Sequence, residues 1–473
     1  MSHRLVIFGA SGDLTSRKLM PALAQLHEAG QLPPGFSVLG IARDDWGTHR
    51  LREALERYAG DVSLQSRNAL VSAVEYRRAE VTDPGQVIAA LQPLRGPIIA
   101  YLALPPRVFL PTLEALSRAS LPQGSRVVIE KPFGEDLASA QALNRLLHQS
   151  FPENAVFRID HFLHLQTVQN VLGLRFANRI VEQLWNRDHV ERVEIVWDES
   201  LTLEERASYY DGVGALKDMI QNHLLQLLCL VGMEAPLTLD ERTLRDRKID
   251  VLRAVRRLSP QEVEQYTVRA RYSAGRIGEC QVPNYADEEG IDPARGTETF
   301  AQVTLWVDNW RWADVPFVLR SGKALGRERR EIAVHFWPVP HLAFEANDPP
   351  PNVLRLLMVP DRLAFGMNLN GPGAPFPLER IELGTDFTSE GLPAYGRLLL
   401  QVLEGDCTLS IRDDEAEESW RVITPILDAW AQGRVPLLEY PAGSDGPTAA
   451  TQPPGGQHSG RRRPGHGPIP GVG

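Results

Sequence analysis

Between residues 4 and 159, short apolar runs of strand length recur with stretches of helical spacing between them. Arg4–Phe8, Ser37–Ile41, Pro97–Leu104, Arg126–Ile129 and Ala155–Ile159 predict strands, while Lys18–Ala29 and Arg107–Arg118 carry apolar residues at i, i+3 and i+4 intervals that predict helices. Strand and helix in alternation imply a doubly wound, mostly parallel sheet, hence an α/β first half. From about Thr167 the texture changes. A long apolar helix is predicted over Ala215–Val231, and alternating segments at Val263–Ser273, Thr297–Asp308 and Arg330–Trp337 follow one another as strands, the pattern of an α+β domain built on a mostly antiparallel sheet. The organisation expected is therefore an α/β domain over 1–166, an α+β domain over 167–446 and a tail over 447–473. From Gly446 onward the chain has eight glycines and six prolines in 28 residues and almost no large apolar side chain, too little to offset the entropy of ordering. No internal repeat is visible.

Charge narrows the classes of partner. The 473 residues hold 50 Lys+Arg and 60 Asp+Glu, a formal −10, and the last 28 residues contribute Arg461, Arg462 and Arg463 with no acid, so the body of the chain is more acidic still. Such a surface repels a nucleic-acid backbone. Cys229, Cys280 and Cys407 are odd in number, far apart and outside any C-x-x-C or Cys/His cluster, which suggests neither a disulfide framework nor a metal site. The start M-S-H-R runs directly into L-V-I-F without a leader pattern, and the longest apolar stretch, Leu224 to Met233, is too short for a bilayer. A soluble cytoplasmic protein without a membrane partner is expected.

Three clusters carry candidate chemistry. After the first strand, Gly9-Ala10-Ser11-Gly12-Asp13-Leu14 leads into a helix, where glycines let the backbone approach a pyrophosphate lying against the helix N-terminus. An ordinary strand-to-helix turn would also use two glycines, but the flanking strand and helix favour a dinucleotide. The second strand runs out at Arg43, where an arginine suits the 2′-phosphate of NADP better than the ribose of NAD; Asp44 beside it tempers that preference, and a solvated surface charge is the plainer alternative. Two further strands end in charge, Glu130-Lys131-Pro132-Phe133-Gly134 and Arg158-Ile159-Asp160-His161, and open parallel sheets bind ligands at such carboxyl ends. Pro132 keeps Lys131 out of the helical region and leaves the X-Pro bond open to the cis form. His223 sits in the apolar helix as either a core histidine or a base. Asp218 lies five residues before it, about 140° round an α-helix, so Asp160 is the better carboxylate to orient it. A histidine so oriented is suited to take the proton of an anomeric hydroxyl as hydride leaves for a nicotinamide.

At this point the sequence closely resembles the glucose-6-phosphate dehydrogenase family. The matches run in order to about residue 447: G-A-S-G-D-L at 9–14, Y-L-A-L-P-P at 101–106, E-K-P-F-G at 130–134, R-I-D-H at 158–161, Y-Y-D-G-V-G-A-L-K-D-M-I-Q-N-H-L-L-Q-L-L-C-L at 209–230, T-E-T-F-A at 297–301, D-N-W-R-W at 308–312 and P-F-V-L-R-S-G-K-A-L at 316–325. The resemblance implies a Rossmann domain joined to a domain with a large antiparallel sheet, a homodimer or dimer of dimers through that sheet, and oxidation of glucose 6-phosphate at C1 to the 1,5-lactone with NADP, or NAD, as in the first step of the pentose phosphate pathway. It implies His223 as catalytic base with Asp160 its partner, and Lys131, Glu199, Asp218 and Lys323 on the sugar. His161 would meet the phosphate, while Gly9, Ser11, Gly12, Asp13, Leu14, Arg43 and Lys131 would hold the coenzyme, with no metal. Two departures stand out. The family continues R-I-D-H with Y-L-G-K-E, whose tyrosine and lysine hold the 6-phosphate; here Phe162 and Leu165 replace both, so His164, Gln166 or Arg175 would have to reach in, or the substrate would be an unphosphorylated or modified hexose. The family's A-G-S-W-G-P appears as Ala442-Gly443-Ser444-Asp445-Gly446-Pro447, followed by the Gly/Pro tail. A weakly catalytic regulatory paralogue is the reading from another class, against which the retained His223 and Asp160 stand.

Overall fold

The computed structural model describes residues 4–60, 62–203, 207–342, 349–373, 377–387 and 391–450. Its first sheet is built from β1 (Arg4–Phe8), β2 (Ser37–Ala42), β3 (Val74–Arg78), β4 (Ile98–Leu102), β5 (Arg126–Glu130) and β6 (Val156–Ile159), all parallel, in the order β3-β2-β1-β4-β5-β6. Strands such as Ile98–Leu102 are buried along their whole length because helices cover both faces. The order reverses between β1 and β4, and a doubly wound sheet opens its ligand crevice at that point. β3 was not expected from the sequence. It is V-E-Y-R-R at the sheet edge, where only Val74 and Tyr76 are buried and the polar residues between them mask the strand signal.

The second sheet has nine strands in the order β16-β15-β14-β13-β7-β12-β11-β8-β17. They are β7 (Val190–Asp198), β8 (Thr267–Ser273), β11 (Phe300–Trp306), β12 (Pro316–Gly322), β13 (Arg329–Phe336), β14 (Val353–Met358), β15 (Asp361–Asn370), β16 (Leu378–Asp386) and β17 (Leu437–Pro441), with β9 (Gly275–Ile277) and β10 (Cys280–Val282) forming a separate hairpin. Pairing is antiparallel except between β7 and β12 and between β8 and β17. The expected strand over Val263–Ser273 is corrected at its start: Ser259 and Glu262 form a capping box that opens a helix over Pro260–Tyr266, and the strand begins only at Thr267. Of the expected tail, Thr448–Ala450 is a single helical turn and residues 451–473 lie outside the described residues.

A buried helix over Leu216–Leu224, continued as Leu225–Gly232, packs against β7, β11 and β12. Its last carbonyls would be orphaned in an apolar interior. Side chains satisfy them: Arg175 Nη1 donates to Leu230 O at 2.9 Å and Nη2 to Met233 O at 2.8 Å, while the indoles of Trp185 and Trp312 donate to Val231 O and Gly232 O, each at 2.8 Å. The helix Ala394–Glu404 comes from near the chain's end yet packs Leu398, Leu399, Val402 and Leu403 into the core beneath the first sheet.

Candidate active site

The site gathers at the carboxyl ends of the first sheet's strands. Beyond β1, Gly9 adopts φ 88°, and a Cβ there would sit 2.2 Å from Ala103 O. Only glycine fits. Gly12 N and Thr15 Oγ1 both donate to Gly9 O, at 3.0 and 3.2 Å, which closes the loop just before the helical turns begin at Thr15. Ser11 Oγ donates to Asp44 Oδ2, Leu14 packs on the core, and exposed Asp13 lies 3.6 Å from Arg17. Arg43 is exposed past the end of β2, and its carbonyl accepts from Arg78 Nε at 3.1 Å. A glycine-turned loop at a helix entry, with the guanidinium groups of Arg43 past β2 and Arg78 at the end of β3, fits a dinucleotide bearing a 2′-phosphate. Arg78 was missed because β3 was missed.

Across the switch point, Glu130 closes β5 in a buried position, accepting from Tyr101 Oη at 2.7 Å and Tyr395 Oη at 3.4 Å; burial pushes its carboxyl up to about 7 against the Tyr101 bond. The Lys131–Pro132 peptide is cis. Lys131 Nζ donates to Asp218 Oδ1 at 3.0 Å and Asp218 O at 2.9 Å. Burial works against both charges, yet the Lys131 ammonium holds Asp218 down to about 2, so the pair stays ionic.

The expected separation of Asp218 and His223 is corrected by the helix winding. Over Leu216–Leu224 the backbone is π-wound, Leu225 N–H donating to Ile220 O five residues back. In that geometry residues five apart share nearly one face, and the Asp218 charge acts on the imidazole. His223 Nδ1 meets Asp160 Oδ1 at 2.6 Å, with side chains 2% and 0% exposed, and Phe162 N–H donates to the same oxygen at 2.9 Å. Burial would raise the Asp160 carboxyl, but the imidazole beside it holds it well below the carboxylate range. Burial also lowers His223, partly reversed by Asp160. The pair rests as carboxylate and neutral imidazole, Nδ1–H bonded to Asp160 and Nε2 left as the acceptor.

His161 stacks on Tyr395 with centroids 5.5 Å apart and meets His223 edge-on at 5.3 Å; burial, then the neighbouring His223, push it down to about 3. It is a neutral donor. Its ligand atoms, with those of Asp160 and His223, lie within 4.8 Å of one another, though Asp160 is already committed to the imidazole. On the second sheet, Glu199 follows β7 and Lys323 follows β12, and Glu199 N–H donates to Gly322 O at 2.8 Å, holding the two ends together. Lys323 Nζ reaches Glu199 Oε2 at 2.7 Å. Phe162 stacks on the His223 ring at 3.7 Å and 8° and leans on Trp197 at 4.1 Å. Two of the compensating residues considered for the phosphate are occupied elsewhere: His164 Nε2 bonds Gln401 Oε1 at 2.9 Å, and Arg175 caps the buried helix. Sequence reading missed Trp197 and the Tyr101–Glu130–Tyr395 group, whose members lie on three separate segments.

Comparison with known proteins places these elements in context. Residues 6–170 match the family model "Glucose-6-phosphate dehydrogenase, NAD binding domain" and residues 172–457 match "Glucose-6-phosphate dehydrogenase, C-terminal domain". The chain is 44% identical to the glucose-6-phosphate 1-dehydrogenase of Treponema pallidum (strain Nichols), over 95% of this chain and 92% of that one. It is 40% identical to glucose-6-phosphate 1-dehydrogenase 2 of Mycobacterium tuberculosis (strain ATCC 25618 / H37Rv), with the same coverage. Among solved structures, a glucose-6-phosphate dehydrogenase in complex with its substrate glucose 6-phosphate superposes with a TM-score of 0.85 at 32% identity, over 94% of this chain and 96% of that one. The glucose-6-phosphate 1-dehydrogenase of Mycobacterium avium gives 0.84 at 34% identity, over 95% and 96%.

Proposed function

This chain belongs to the glucose-6-phosphate dehydrogenase family, and from that premise we propose how its own residues carry the reaction. The protein oxidises glucose 6-phosphate at C1 to the 1,5-lactone, with NADP as coenzyme. His223 is the base: its Nε2 takes the proton of the C1 hydroxyl, and the imidazolium that forms is stabilised by Asp160, 2.6 Å from Nδ1. That contact is the observation that carries the reading. Bound NADP supplies the acceptor for the two electrons and hydrogen leaving C1. Gly9, Ser11, Gly12, Asp13 and Leu14 cradle its pyrophosphate, and Arg43 and Arg78 take the 2′-phosphate. Lys131 and Asp218 on one side, and Lys323 and Glu199 on the other, fix the ring hydroxyls; Lys131 also borders the coenzyme, and His161 donates to the phosphate end.

The readings of an unphosphorylated substrate or of a weak regulatory paralogue are not favoured, since the relatives are glucose-6-phosphate dehydrogenases along nearly their whole length and the base with its carboxylate is intact. The division at residue 166 belongs to the same reading, with the helix Ala394–Glu404 returning to the first domain. Among the described residues no helix is long and apolar enough to cross a membrane. Leu369 and Leu383, exposed on the outermost strands of the second sheet, support a homodimer through that sheet, which light scattering of the purified protein tests. The decisive assay is NADPH formation from glucose 6-phosphate by wild type and His223→Asn. The variant is expected to lose about 10²–10⁴-fold in turnover, the contribution of a general base, with NADP affinity retained; near-full turnover would refute the assignment.

A further inference from the structure

The phosphate of the substrate is a dianion, and it needs charge-assisted donors at the far end of the sugar from His223. Phe162 and Leu165 offer none. His164 is tied to Gln401 and to Asp160 O, Arg175 is buried in its cap, and Arg397 Nη1 donates to His164 O at 3.3 Å. Lys131 and Lys323 are paired with Asp218 and Glu199 on the ring itself, and His161 is neutral. Among the described residues, Arg330 is a further cation whose ion pairs include a sugar-ring carboxylate, Glu199. Arg330 lies on β13 opposite Trp197 of β7, with its Cζ 5.0 Å from the indole centroid. The same indole supports Phe162, and Phe162 in turn lies on His223, so guanidinium, indole, phenyl and imidazole follow one another in contact.

Resting on the reading that glucose 6-phosphate is oxidised at this site, we propose that Arg330 is the residue that holds the 6-phosphate in this chain, replacing the tyrosine and lysine absent at Phe162 and Leu165. Its side chain is 17% exposed and its Nε is buried without a partner; Nη2 lies 3.3 Å from Glu328 Oε1 and 3.9 Å from Glu199 Oε1. The nearness of Glu199, a sugar-ring residue, puts the guanidinium at the rim of the sugar pocket. Glu328 is 40% exposed and also accepts from Ser200 Oγ at 3.1 Å. It is a resident counter-ion that can turn to water when a dianion arrives, at small desolvation cost. The Trp197 face supports the guanidinium, and turning Glu328 away frees its Nη groups for phosphate oxygens.

The test compares kcat/KM for glucose 6-phosphate with kcat/KM for glucose, using the full chain and NADP. Wild type should prefer the phosphorylated sugar. Arg330→Gln should lower the ratio by about 10–100-fold, mainly through KM for glucose 6-phosphate, and Arg330→Lys should restore part of it. Glu328→Gln, a change at an exposed position, should lower KM for glucose 6-phosphate several-fold while leaving glucose unaffected, and it decides the matter if the arginine variants do not fold. A wild type that prefers glucose 6-phosphate, with a ratio unmoved by Arg330→Gln or by Glu328→Gln, overturns the role of Arg330 and leaves the proposed function standing. A wild type indifferent to the phosphate overturns both.

Discussion

Replacing Asp160 by Asn separates the charge of the carboxylate from its geometry. Oδ1 accepts from both His223 Nδ1 and Phe162 N–H, while Oδ2 is buried without a partner. An asparagine can therefore set its amide oxygen at Oδ1, keep both hydrogen bonds, hold the same imidazole tautomer and place its NH2 where Oδ2 was. What disappears is the negative charge. A charge-assisted hydrogen bond is worth roughly twice a neutral one, so the imidazolium loses about 1–1.5 kcal/mol. At 1.36 kcal/mol per decade this lowers the plateau of kcat/KM by about tenfold and the pKa of His223 by about one unit. The sign follows from the role: the base acts deprotonated, activity falls as pH drops through its pKa, and Asp160 raises that pKa. The acid limb of the pH profile should consequently move to lower pH in the variant even as the plateau drops. A limb that stays in place with little loss of rate would show that Asp160 does not act on the base. A loss as great as that of His223→Asn would show that the amide turns its NH2 toward Nδ1 and holds the wrong tautomer, so that the two hydrogen bonds at Oδ1 are not kept.

Arg175→Met should cost about 2–5 kcal/mol in urea unfolding, because two buried carbonyls at the end of the helix bearing His223 lose their donors, while Glu182 keeps Arg311 at 3.0 Å; a loss under about 1 kcal/mol would contradict the capping role. Glu298 is buried, accepts from Leu216 N at 2.9 Å, and burial pushes its carboxyl up to about 7. Its folded value exceeds the unfolded one, so the stability it contributes is present below about 4.5 and lost as pH rises through 7. Glu298→Gln should therefore leave the melting temperature unchanged at pH 4.5 and raise it at pH 8, by about 1–3 kcal/mol in stability, measured by calorimetry at both pH values. Arg43→Ala should raise KM for NADP about tenfold or more and leave NAD almost untouched; equal effects on both coenzymes would remove Arg43 from the 2′-phosphate site.

Much of this arrangement was legible because the signals were local. The strand runs at Arg4–Phe8 and Arg126–Ile129 have uninterrupted apolar cores, and Gly9 must be glycine for a steric reason that one turn contains. Where the signal was non-local, the sequence misled. β3 alternates too weakly at its edge position to read as a strand, and Arg78 went with it. The angle between Asp218 and His223 came out wrong because nothing in L-K-D-M-I-Q-N-H-L announces π winding, a property enforced by what the helix packs against. Trp197 is one more apolar residue in β7 until β13 and the turn after β6 bring Arg330 and Phe162 to its ring. The return of Ala394–Glu404 to the first sheet likewise depends on more than two hundred intervening residues.

The charges of the site share one logic. Each cation is matched by a carboxylate from another element: Lys131 after β5 by Asp218 on the buried helix, Lys323 after β12 by Glu199 after β7, and the developing imidazolium of His223 by Asp160 after β6. A buried cation without its partner would cost several kcal/mol, so every pair joins two elements that must both be in place before either charge is tolerable. Burial alone would keep His223 neutral and a poor base. Lys131 without its acid would depress it further. With the acids present, the surroundings let the imidazole accept a proton in a site closed to water, where the same carboxylate strengthens as the positive charge forms. The Phe162 ring lying flat on the imidazole adds an apolar lid that excludes water from that face and supplies a quadrupole to the cation. A phenylalanine at this position therefore serves the base while giving up the hydroxyl that a tyrosine would lend to the phosphate, and the cation that answers that loss has to come from the next ring in the stack, on the second sheet.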